Sequence, residues 1–400
     1  MPTGQLRRDG WAKLTQDYPD PNVITAVLGI CTFSARIGYE GYRSKTTIHS
    51  NLKSAIAEAS IVSADIVSEL NQSRLEVYSG PNNLPRHFTA SPLGLTDKAD
   101  GSKRRIHYPS YPPRDISGIN AGIPEHYGAI KYSGIEDAIQ AVHRFGDNSI
   151  LIKRDFKSAF SHIPVSPIDT PLLGFQWEGI FYAECFLPFG LRTARYLFNL
   201  FAEVFHWILE QQLKMANISA SIIHYLDDFL LVLDPGAITN LEQSSQIFTS
   251  LCVQVGLSIK TSKNEEGTAV SFAGLVLDTG KMVIRLPDKK RQKPQKMISE
   301  ARHSRSLSLL DIQKITGYLN FVFTVLPLGR AFLRRLYNME LYFPPQALAA
   351  TYHKRRISGE AHKDLAWWSE VLQHSPERSI APRSWDFSLE PGLTPLVLKD

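Results

Sequence analysis

Two adjacent aspartates, Asp227 and Asp228, lie between two apolar runs rich in β-branched residues, within residues 221–233. This pattern predicts a β-hairpin that carries both carboxylates at its turn. Burying two neighbouring acids beside apolar strands is costly unless a cation neutralises them, so the pattern favours a metal site. The alternative is an ordinary turn facing solvent, because aspartate is common in turns.

A third carboxylate, Asp155, ends the short apolar run of residues 149–155, which predicts a β-strand. A carboxylate at the C-terminal end of a strand is a frequent catalytic placement. It is about as often the cap of a helix that follows the strand. Both interpretations stay open on this segment alone.

Two basic residues, Lys98 and Arg104, flank the dipeptide Asp100-Gly101, which is a strong signal for a hairpin turn. The two side chains would then lie on opposite arms of a short ribbon. A cationic ribbon tip suits phosphate binding. A solvated hairpin that uses basic residues for solubility is the alternative.

A second basic region covers residues 289–305, with seven Lys or Arg residues against one Glu. It is followed by Arg330, Arg334 and Arg335 at helical spacing, which predicts that they share a face. Basic helices of this kind suit contact with a phosphodiester backbone, although solvated helix faces have the same composition.

The surrounding pattern predicts the elements that must position these residues. Apolar residues at helical spacing predict helices at residues 54–70, 135–145, 193–215, 241–255, 309–325 and 329–339. Thr193 is the expected cap of its helix, and Gly256 is expected to end the helix before it. Residues 175–187 predict two strands joined near Glu178-Gly179, and residues 270–278 with 282–286 predict a second hairpin.

Composition narrows the class of protein. The chain has 400 residues, of which 43% are hydrophobic and 21% charged, as in a globular protein of two or three subdomains. Its net charge of +5 is only weak support for nucleic acid. Three widely spaced cysteines indicate neither a disulfide framework nor a zinc site. No membrane span or signal peptide is recognisable, so we expect an intracellular protein, in the cytoplasm or the nucleus, without a membrane partner.

The order of these pieces resembles a reverse transcriptase. The basic hairpin is followed by the strand ending in Asp155, then by Leu187-Pro-Phe-Gly190 and by Tyr225-Leu-Asp-Asp228. A trailing Lys263 and Phe272-Ala-Gly-Leu275 complete the series. The motif sequences are most similar to those in retrotransposons of the LTR gypsy type and the tyrosine-recombinase DIRS type. The resemblance implies an α+β right-hand polymerase fold, with fingers, palm and thumb and an antiparallel palm sheet backed by helices.

The resemblance also implies roles for residues. Asp155, Asp227 and Asp228 would bind two Mg²⁺ ions, which Mn²⁺ could replace, because two metals stabilise both the attacking and the leaving oxygen in nucleotidyl transfer. Phe160 would exclude the 2′-OH of ribonucleotides. The nucleotide would also contact Lys98, Arg104, Phe189, Gly190 and Lys263. The primer or template would contact Tyr225, Phe272, Gly274, Arg330 and Arg334.

The expected domains are an N-terminal helical lead (residues 1–75), fingers and palm (76–290), thumb or connection helices (291–375) and a linker (376–400). Residues 394–400 could begin a ribonuclease H domain, but no further acids of that domain follow, so no ribonuclease H activity is expected. Arg195 stands where many relatives have proline, and only a local effect is expected there. Ser158 stands where some retroviral relatives have an acid, two positions before Phe160.

The predicted function is RNA- or DNA-templated DNA synthesis from dNTPs at a primer 3′-OH. One alternative is a decayed or domesticated fragment that binds nucleic acid without polymerising. Another is an RNA-templated RNA polymerase, against which Phe160 argues because RNA synthesis must admit the 2′-OH. Template preference and oligomeric state stay open at this point.

Overall fold

The computed structural model describes residues 6–43, 45–98, 101–113, 117–130, 132–236, 238–343, 353–374 and 376–382. The chain divides into two compact units, each built from separate stretches of sequence. The first comprises Met1–Gly134, Arg154–Leu231 and Ile238–Asn264, and the second comprises Ile135–Lys153, Val232–Ala237 and Glu265–Asp400. The four-part domain division expected from the sequence stays a prediction.

Helices and separate sheets are mixed along the described chain, which confirms the α+β class. The helices are α1 (Arg8–Leu14), α2 (Pro21–Phe33), α3 (Lys53–Ala57), α4 (Ala59–Asn71), α5 (Ile135–Phe145), α6 (Ala194–Met215), α7 (Ile238–Val255), α8 (Asp288–His303), α9 (Leu309–Val322), α10 (Arg334–Glu340) and α11 (Gly359–Val371). The strands up to the aspartate hairpin are β1 (Thr47–Ile48), β2 (Leu75–Tyr78), β3 (Thr89–Ala90), β4 (Leu93–Asp97), β5 (Lys103–His107), β6 (Ile150–Asp155), β7 (Gly174–Trp177), β8 (Ile180–Glu184), β9 (Ala220–Tyr225) and β10 (Asp228–Leu233). They are followed by β11 (Glu265–Gly267), β12 (Ala269–Phe272), β13 (Leu275–Asp278), β14 (Val283–Arg285), β15 (Ser306–Ser308), β16 (Lys354–Arg356) and β17 (Glu377–Ser379).

In the first unit, a five-stranded sheet has the order β1-β3-β7-β8-β2. The predicted turn between β7 and β8 is confirmed at Glu178 and Gly179, whose φ angles are 49° and 83°. Beside this sheet, β4 and β5 form the antiparallel ribbon that the basic hairpin predicted, with Thr96 opposite Arg104. The predicted helix at residues 54–70 is two helices, α3 and α4, because the chain leaves the helical conformation at Glu58, where φ is −130°.

A four-stranded sheet in the order β11-β6-β10-β9 contains the strands predicted to carry the aspartates. Helix α6 packs against β9 and α7 within the first unit. An aromatic core lies beneath the end of β6, where the rings of Phe205 and Phe229 each lie 5.3 Å from the ring of Phe156. All three side chains are buried. Such dense packing fixes the backbone from which Asp155 projects.

The helices around this sheet agree with the sequence pattern, with one correction. Gly256 ends α7 as predicted, with φ at 80° and its N–H bonded to the carbonyl of Cys252. Thr193 precedes α6, but its hydroxyl does not cap the helix. It donates instead to the carbonyl of Ile37 at 3.0 Å, because the residue is fully buried against that segment.

The second unit contains helix α5 as predicted, the sheet β12-β13-β14-β17 and the helices from α8 onward. The predicted hairpin across residues 279–281 is confirmed, since β13 pairs with β14, but the prediction of one strand over residues 270–278 is wrong. The segment folds back on itself at Ala273 and Gly274, with φ angles of 48° and 85°, so that β12 and β13 form a hairpin of their own. The predicted helix at residues 329–339 is also wrong in part, because Pro327–Leu333 is a 3₁₀ helix that precedes α10.

Within the described residues, no helix is both long and apolar enough to cross a bilayer. The segment at residues 394–400, considered above as the first strand of a nuclease domain, lies outside the described residues.

Candidate active site

The first carboxylate of the site is Asp155, the last residue of β6, and its side chain is only 4% exposed. The segment that follows α7 holds this strand end in place. The N–H of Lys260 donates to the carbonyl of Asp155 at 2.7 Å, and Phe156 forms a β-bridge with Ile259. Lys263, at the end of this segment, donates from Nζ to Oδ2 of Asp155 at 2.5 Å. Asp155 is therefore an ion-paired residue and not a helix cap.

The second carboxylate is Asp227, in the turn between β9 and β10. Its carbonyl accepts the N–H of Phe156 at 3.0 Å, which joins the hairpin turn to the end of β6. Leu226 before it has φ at 55°, a left-handed conformation that is unfavourable for a leucine. Burial, and then the charge of Asp155, raise the pKa of the Asp227 carboxyl.

The pKa values around these acids indicate a site that attracts cations. Burial would lower the pKa of Lys263, but its hydrogen bond to Asp155 and the charges of Asp155, Asp228 and Asp227 raise it. Asp228, the first residue of β10, thus adds its charge to the same acidic group. A bound divalent cation would likewise relieve the repulsion between the acids.

The donor set fits a hard divalent cation. Among the residues that the structure describes, no three His, Cys, Asp or Glu side chains converge as a complete metal cage. Mg²⁺ does not need one, since it is usually held by one or two carboxylates together with water and substrate phosphates. Asp155 and Asp227 supply two such carboxylates that line one cleft, and the Lys263 ammonium on Asp155 marks a position where positive charge is favourable.

The cleft has a volume of about 560 Å³ and lies within the first unit. It brings together the predicted cations with the two aspartates. The charged side chains that line it are Lys98, Arg104, Arg105, Lys157, Lys260 and Lys263 together with Asp65, Glu69, Asp155, Glu184 and Asp227. Cationic groups around a concave site of this size suit a ligand that carries several phosphates.

Two of the predicted nucleotide-binding residues, Arg104 and Phe189, line one wall of the cleft, and a third, Phe160, contacts Phe189. The guanidinium of Arg104 lies 4.3 Å from the centre of the Phe189 ring. The Phe189 ring contacts that of Phe160 edge-on, with 5.0 Å between the centres. Phe189 is 38% exposed, whereas Phe160 is 9% exposed and lies against its ring.

Gly190 follows Phe189 with φ at 104°. A Cβ atom at this position would lie 2.4 Å from the carbonyl oxygen of His107, so only glycine allows this close approach of two backbones. Lys98 continues from β4, and its N–H donates to the carbonyl of Ser102 at 2.7 Å, opposite the arm that carries Arg104.

The predicted primer and template residues are divided between the two units. Tyr225 belongs to the first unit, is 41% exposed and packs its ring against that of Tyr132 at 5.0 Å. In the second unit, Phe272 is fully buried, so its side chain cannot touch a nucleic acid as the structure stands. Gly274 lies in the turn after it, and Arg330 and Arg334 are exposed.

Sequence reasoning missed a buried ionic group at the cleft. Arg105 donates to Oδ2 of Asp65 at 2.6 Å and to Oε1 of Glu184 at 2.7 Å. The only sequence signal was Glu184 itself, an acid at the end of an otherwise apolar strand. Asp65 lies in the helical segment to which no chemistry was assigned.

A buried histidine was missed as well. Nε2 of His162 accepts the N–H of Ser258 at 3.0 Å, and burial lowers the pKa of this imidazole to about 4, so it stays neutral. The residue links the 3₁₀ turn that contains Phe160 to the segment that leads to Lys263.

Part of the sequence matches a known protein family. Residues 97–314, more than half of the chain, match the family described as reverse transcriptase (RNA-dependent DNA polymerase). Within the matched stretch lie Arg104, Asp155, Phe160, Asp227 and Lys263. No curated protein matches the sequence.

Three solved structures of foamy viral protease-reverse transcriptase share the fold. The complex with an RNA/DNA hybrid aligns at a TM-score of 0.58 and 17% identity over 92% of this chain and 46% of that one. The dRH protein with double-stranded DNA aligns at a TM-score of 0.56 and 15% identity over 92% of this chain and 60% of that one. A further complex with double-stranded DNA aligns at a TM-score of 0.53 and 17% identity over 92% of this chain and 71% of that one.

This chain therefore spans about half of the length of the first of those proteins and 60% of the second. At such low identity the likeness concerns the fold, and it bears out the predicted right-hand polymerase architecture. Because the family match covers more than half of the sequence, the chain belongs to the reverse transcriptase family of RNA-dependent DNA polymerases.

Proposed function

We propose that this chain adds deoxynucleotides to a primer 3′-OH on an RNA or DNA template. The observation that carries the proposal is the convergence of Asp155 and Asp227 in one cleft with Lys98, Arg104 and Lys263. Carboxylates suit cation-assisted activation of the 3′-OH, and the cationic side chains suit the triphosphate. The two sets of charges thus match the two ends of a nucleotidyl transfer reaction.

The proposed cofactor is a pair of Mg²⁺ ions, which Mn²⁺ could replace, held by Asp155 and Asp227 with Asp228 completing the acidic group. When bound, such ions stabilise the negative charge on the attacking and the leaving oxygen. Backbone hydrogen bonds within the chain hold the two carboxylates in position. The bond from Phe156 to the turn and the bond from Lys260 to the end of β6 hold the two backbones together.

Other residues in the cleft orient the nucleotide. Arg104 and Lys98 would bind the phosphates, and Lys263, whose ammonium is hydrogen-bonded to Asp155, can supply a proton near the departing pyrophosphate. The edge of the Phe160 ring would lie against C2′ of the sugar and exclude a 2′-OH. Phe189 and Gly190 would line the same pocket.

The proposed partners are dNTPs and a primer–template duplex. Support comes from the related foamy viral proteins, which were solved in complex with RNA/DNA hybrid and with double-stranded DNA. In this chain the exposed Tyr225, Arg330 and Arg334 would contact the nucleic acid. Phe272 would act by holding the backbone turn at Gly274 towards the primer, because its ring is buried.

The motif sequences favour a retroelement of the LTR gypsy type or the DIRS type as the source of the chain. An intracellular location, in the cytoplasm or the nucleus, fits a polymerase that must meet an RNA template. Both statements are parts of the proposal and rest on the sequence.

Primer extension tests the function. Wild-type protein is incubated with poly(rA)/oligo(dT), dTTP and Mg²⁺, beside Asp227→Asn and the matched control Asp234→Asn, an exposed aspartate just beyond β10. We expect Asp227→Asn to lose at least ~10³-fold in rate, roughly 4 kcal/mol in barrier, and the control to keep the wild-type rate. If wild type binds the duplex but extends no primer, the decayed-fragment alternative replaces this proposal.

A further inference from the structure

Arg105 is a buried cation within the candidate nucleotide pocket, and the functions assigned so far do not use it. Its side chain is 8% exposed. It donates to Asp65 of α4 at 2.6 Å and to Glu184 of β8 at 2.7 Å, and its guanidinium lies 5.0 Å from the centre of the Phe175 ring. Three separate elements are therefore joined by one side chain of β5.

The charges of this group are coupled. Burial would lower the pKa of Arg105, but the charges of Glu184 and Asp65 and the hydrogen bonds to both acids together raise it. Burial raises the pKa of the Glu184 carboxyl, although Arg105 opposes this. A buried charge that loses its partner is strongly unfavourable, so Arg105 and Glu184 need each other, whereas the side chain of Asp65 is 40% exposed.

The position of Arg105 in the chain connects it with the pocket wall. Its neighbour Arg104 lies over the Phe189 ring at 4.3 Å, and Phe189 contacts Phe160. Glu184, the partner of Arg105, lies five residues before Phe189 on the same segment. The two arginines thus attach β5 to both ends of the segment from Glu184 to Phe189.

We propose that Arg105 is a positioning residue of the nucleotide pocket, which holds Arg104 over Phe189 and neutralises Asp65 and Glu184 beside the triphosphate. The inference rests on the proposed function, because it assigns a nucleoside triphosphate to the cleft. It adds a specificity role, since Phe160 is supported through Phe189. Arg105 itself does not touch the substrate.

Two effects follow from removing the guanidinium. The ribbon β4–β5 loses its ion pairs to α4 and β8, so Arg104 is no longer held at the ring. In addition, Asp65 and Glu184 become uncompensated negative charges in a cleft that must accept a polyanion. Both effects weaken nucleotide binding, and the first also loosens the contact between Phe189 and Phe160.

A purely structural ion pair would behave differently. Its loss would lower thermal stability and leave the nucleotide affinity of the folded protein unchanged. The chain offers a matched control in Arg43, which donates to the buried Asp169 at 2.6 Å and does not line the cleft. Arg43→Gln removes an arginine–carboxylate bond of the same kind elsewhere in the first unit.

The experiment measures equilibrium binding of dTTP to protein carrying a dideoxy-terminated primer on poly(rA), together with the ratio of dTTP to UTP incorporation on an extendable primer. Wild type is compared with Arg105→Gln, Arg105→Lys and Arg43→Gln. We expect Arg105→Gln to weaken dTTP binding at least ~10-fold, since removal of one partner leaves buried charge unpaired. The dTTP/UTP ratio should fall as well.

Arg105→Lys keeps the charge but loses the planar fork that reaches two acids, so an intermediate loss of ~3-fold is expected. This variant also carries the test if Arg105→Gln does not fold. Arg43→Gln should lower the melting temperature only.

Unchanged dTTP affinity and sugar discrimination in the folded Arg105 variants would overturn the inference. Wild-type protein that binds dTTP but extends no primer contradicts the proposed function instead, and the binding comparison still decides the role of Arg105. Wild-type protein that does not bind dTTP overturns both.

Discussion

Two hairpins of the chain, β9–β10 and β12–β13, turn in a similar way but carry different chemistry. Each contains a non-glycine residue in the left-handed region, Leu226 at φ 55° and Ala273 at φ 48°. The first presents a carboxylate, Asp227, and joins the end of β6 through its backbone. The second has no carboxylate at its turn; beside Gly274 lies the ammonium of Lys290, itself 4.8 Å from the ring of Phe321.

The two hairpins differ in what they present: the first presents a carboxylate side chain, and the second presents mainly a backbone turn. The first hairpin carries an acid, Asp227, whose pKa is raised by burial and by the charge of Asp155. The second offers a backbone turn and a nearby cation, as expected of a surface that binds phosphates without chemistry. We therefore expect changes in the first hairpin and its partner strand to affect the rate, and changes in the second to affect binding.

The largest effect should come from exchanging strand-end aspartates. Asp155→Asn removes a carboxylate from the cleft and should lower the rate of primer extension at least ~10³-fold while duplex binding changes little. Asp278→Asn alters the end of β13, where Oδ1 accepts the N–H of Lys281 at 2.9 Å, a bond that asparagine can also accept. Its rate should stay near that of wild type. Equal losses in both variants, measured in one primer-extension series, would remove the distinction between the hairpins.

The next effect concerns the sugar. Phe160→Val shortens the side chain that would face C2′, so UTP incorporation relative to dTTP should rise by ~10–100-fold, the range expected when a pocket loses steric contact. Phe198→Leu is the control, because Phe198 is fully buried and packs on Phe160 at 6.2 Å without facing the cleft. Competition between the two nucleotides in single-turnover extension measures the ratio. A ratio that changes as much in the control would assign Phe160 to packing alone.

The aspartate hairpin could be predicted because its signal lies in the sequence itself. Acids between β-branched runs are costly and therefore informative, and helix α5 was found to the residue for a similar reason, its regular apolar spacing. The Ala273-Gly274 turn was missed because the apolar run continues through it, and alternation alone does not reveal a reversal. Only the backbone conformation at Ala273 and Gly274 reveals this turn.

Long-range ion pairs also could not be predicted from the sequence. Arg105 and Glu184 are 79 positions apart, and nothing in either segment names the other as its partner. Thr193 shows the same limit on a smaller scale, since its place before α6 was predicted correctly but its hydroxyl bonds to Ile37. Local propensity locates an element, whereas tertiary packing decides what its polar groups bind.

The smallest effects are expected at two glycines with positive φ, one beside the candidate nucleotide pocket and one in the turn between β12 and β13. A Cβ at Gly190 would meet the backbone carbonyl of His107 at 2.4 Å, which cannot move without shifting the ribbon. A Cβ at Gly274 would meet Nζ of Lys290 at 2.1 Å, the flexible end of a side chain that can swing away. Gly190→Ala should therefore destabilise the fold by about 2 kcal/mol and weaken dTTP binding, whereas Gly274→Ala should cost about 1 kcal/mol, the conformational penalty alone.

Urea denaturation and two binding titrations separate these cases. Gly274→Ala should leave dTTP affinity unchanged and weaken primer–template binding only ~2–3-fold, because it displaces one cation from a phosphate contact. Gly190→Ala should show the reverse order, with dTTP affinity reduced more than duplex affinity. If both variants weakened the same ligand, the proposed division between a nucleotide pocket at Gly190 and a nucleic-acid contact at Gly274 would be wrong.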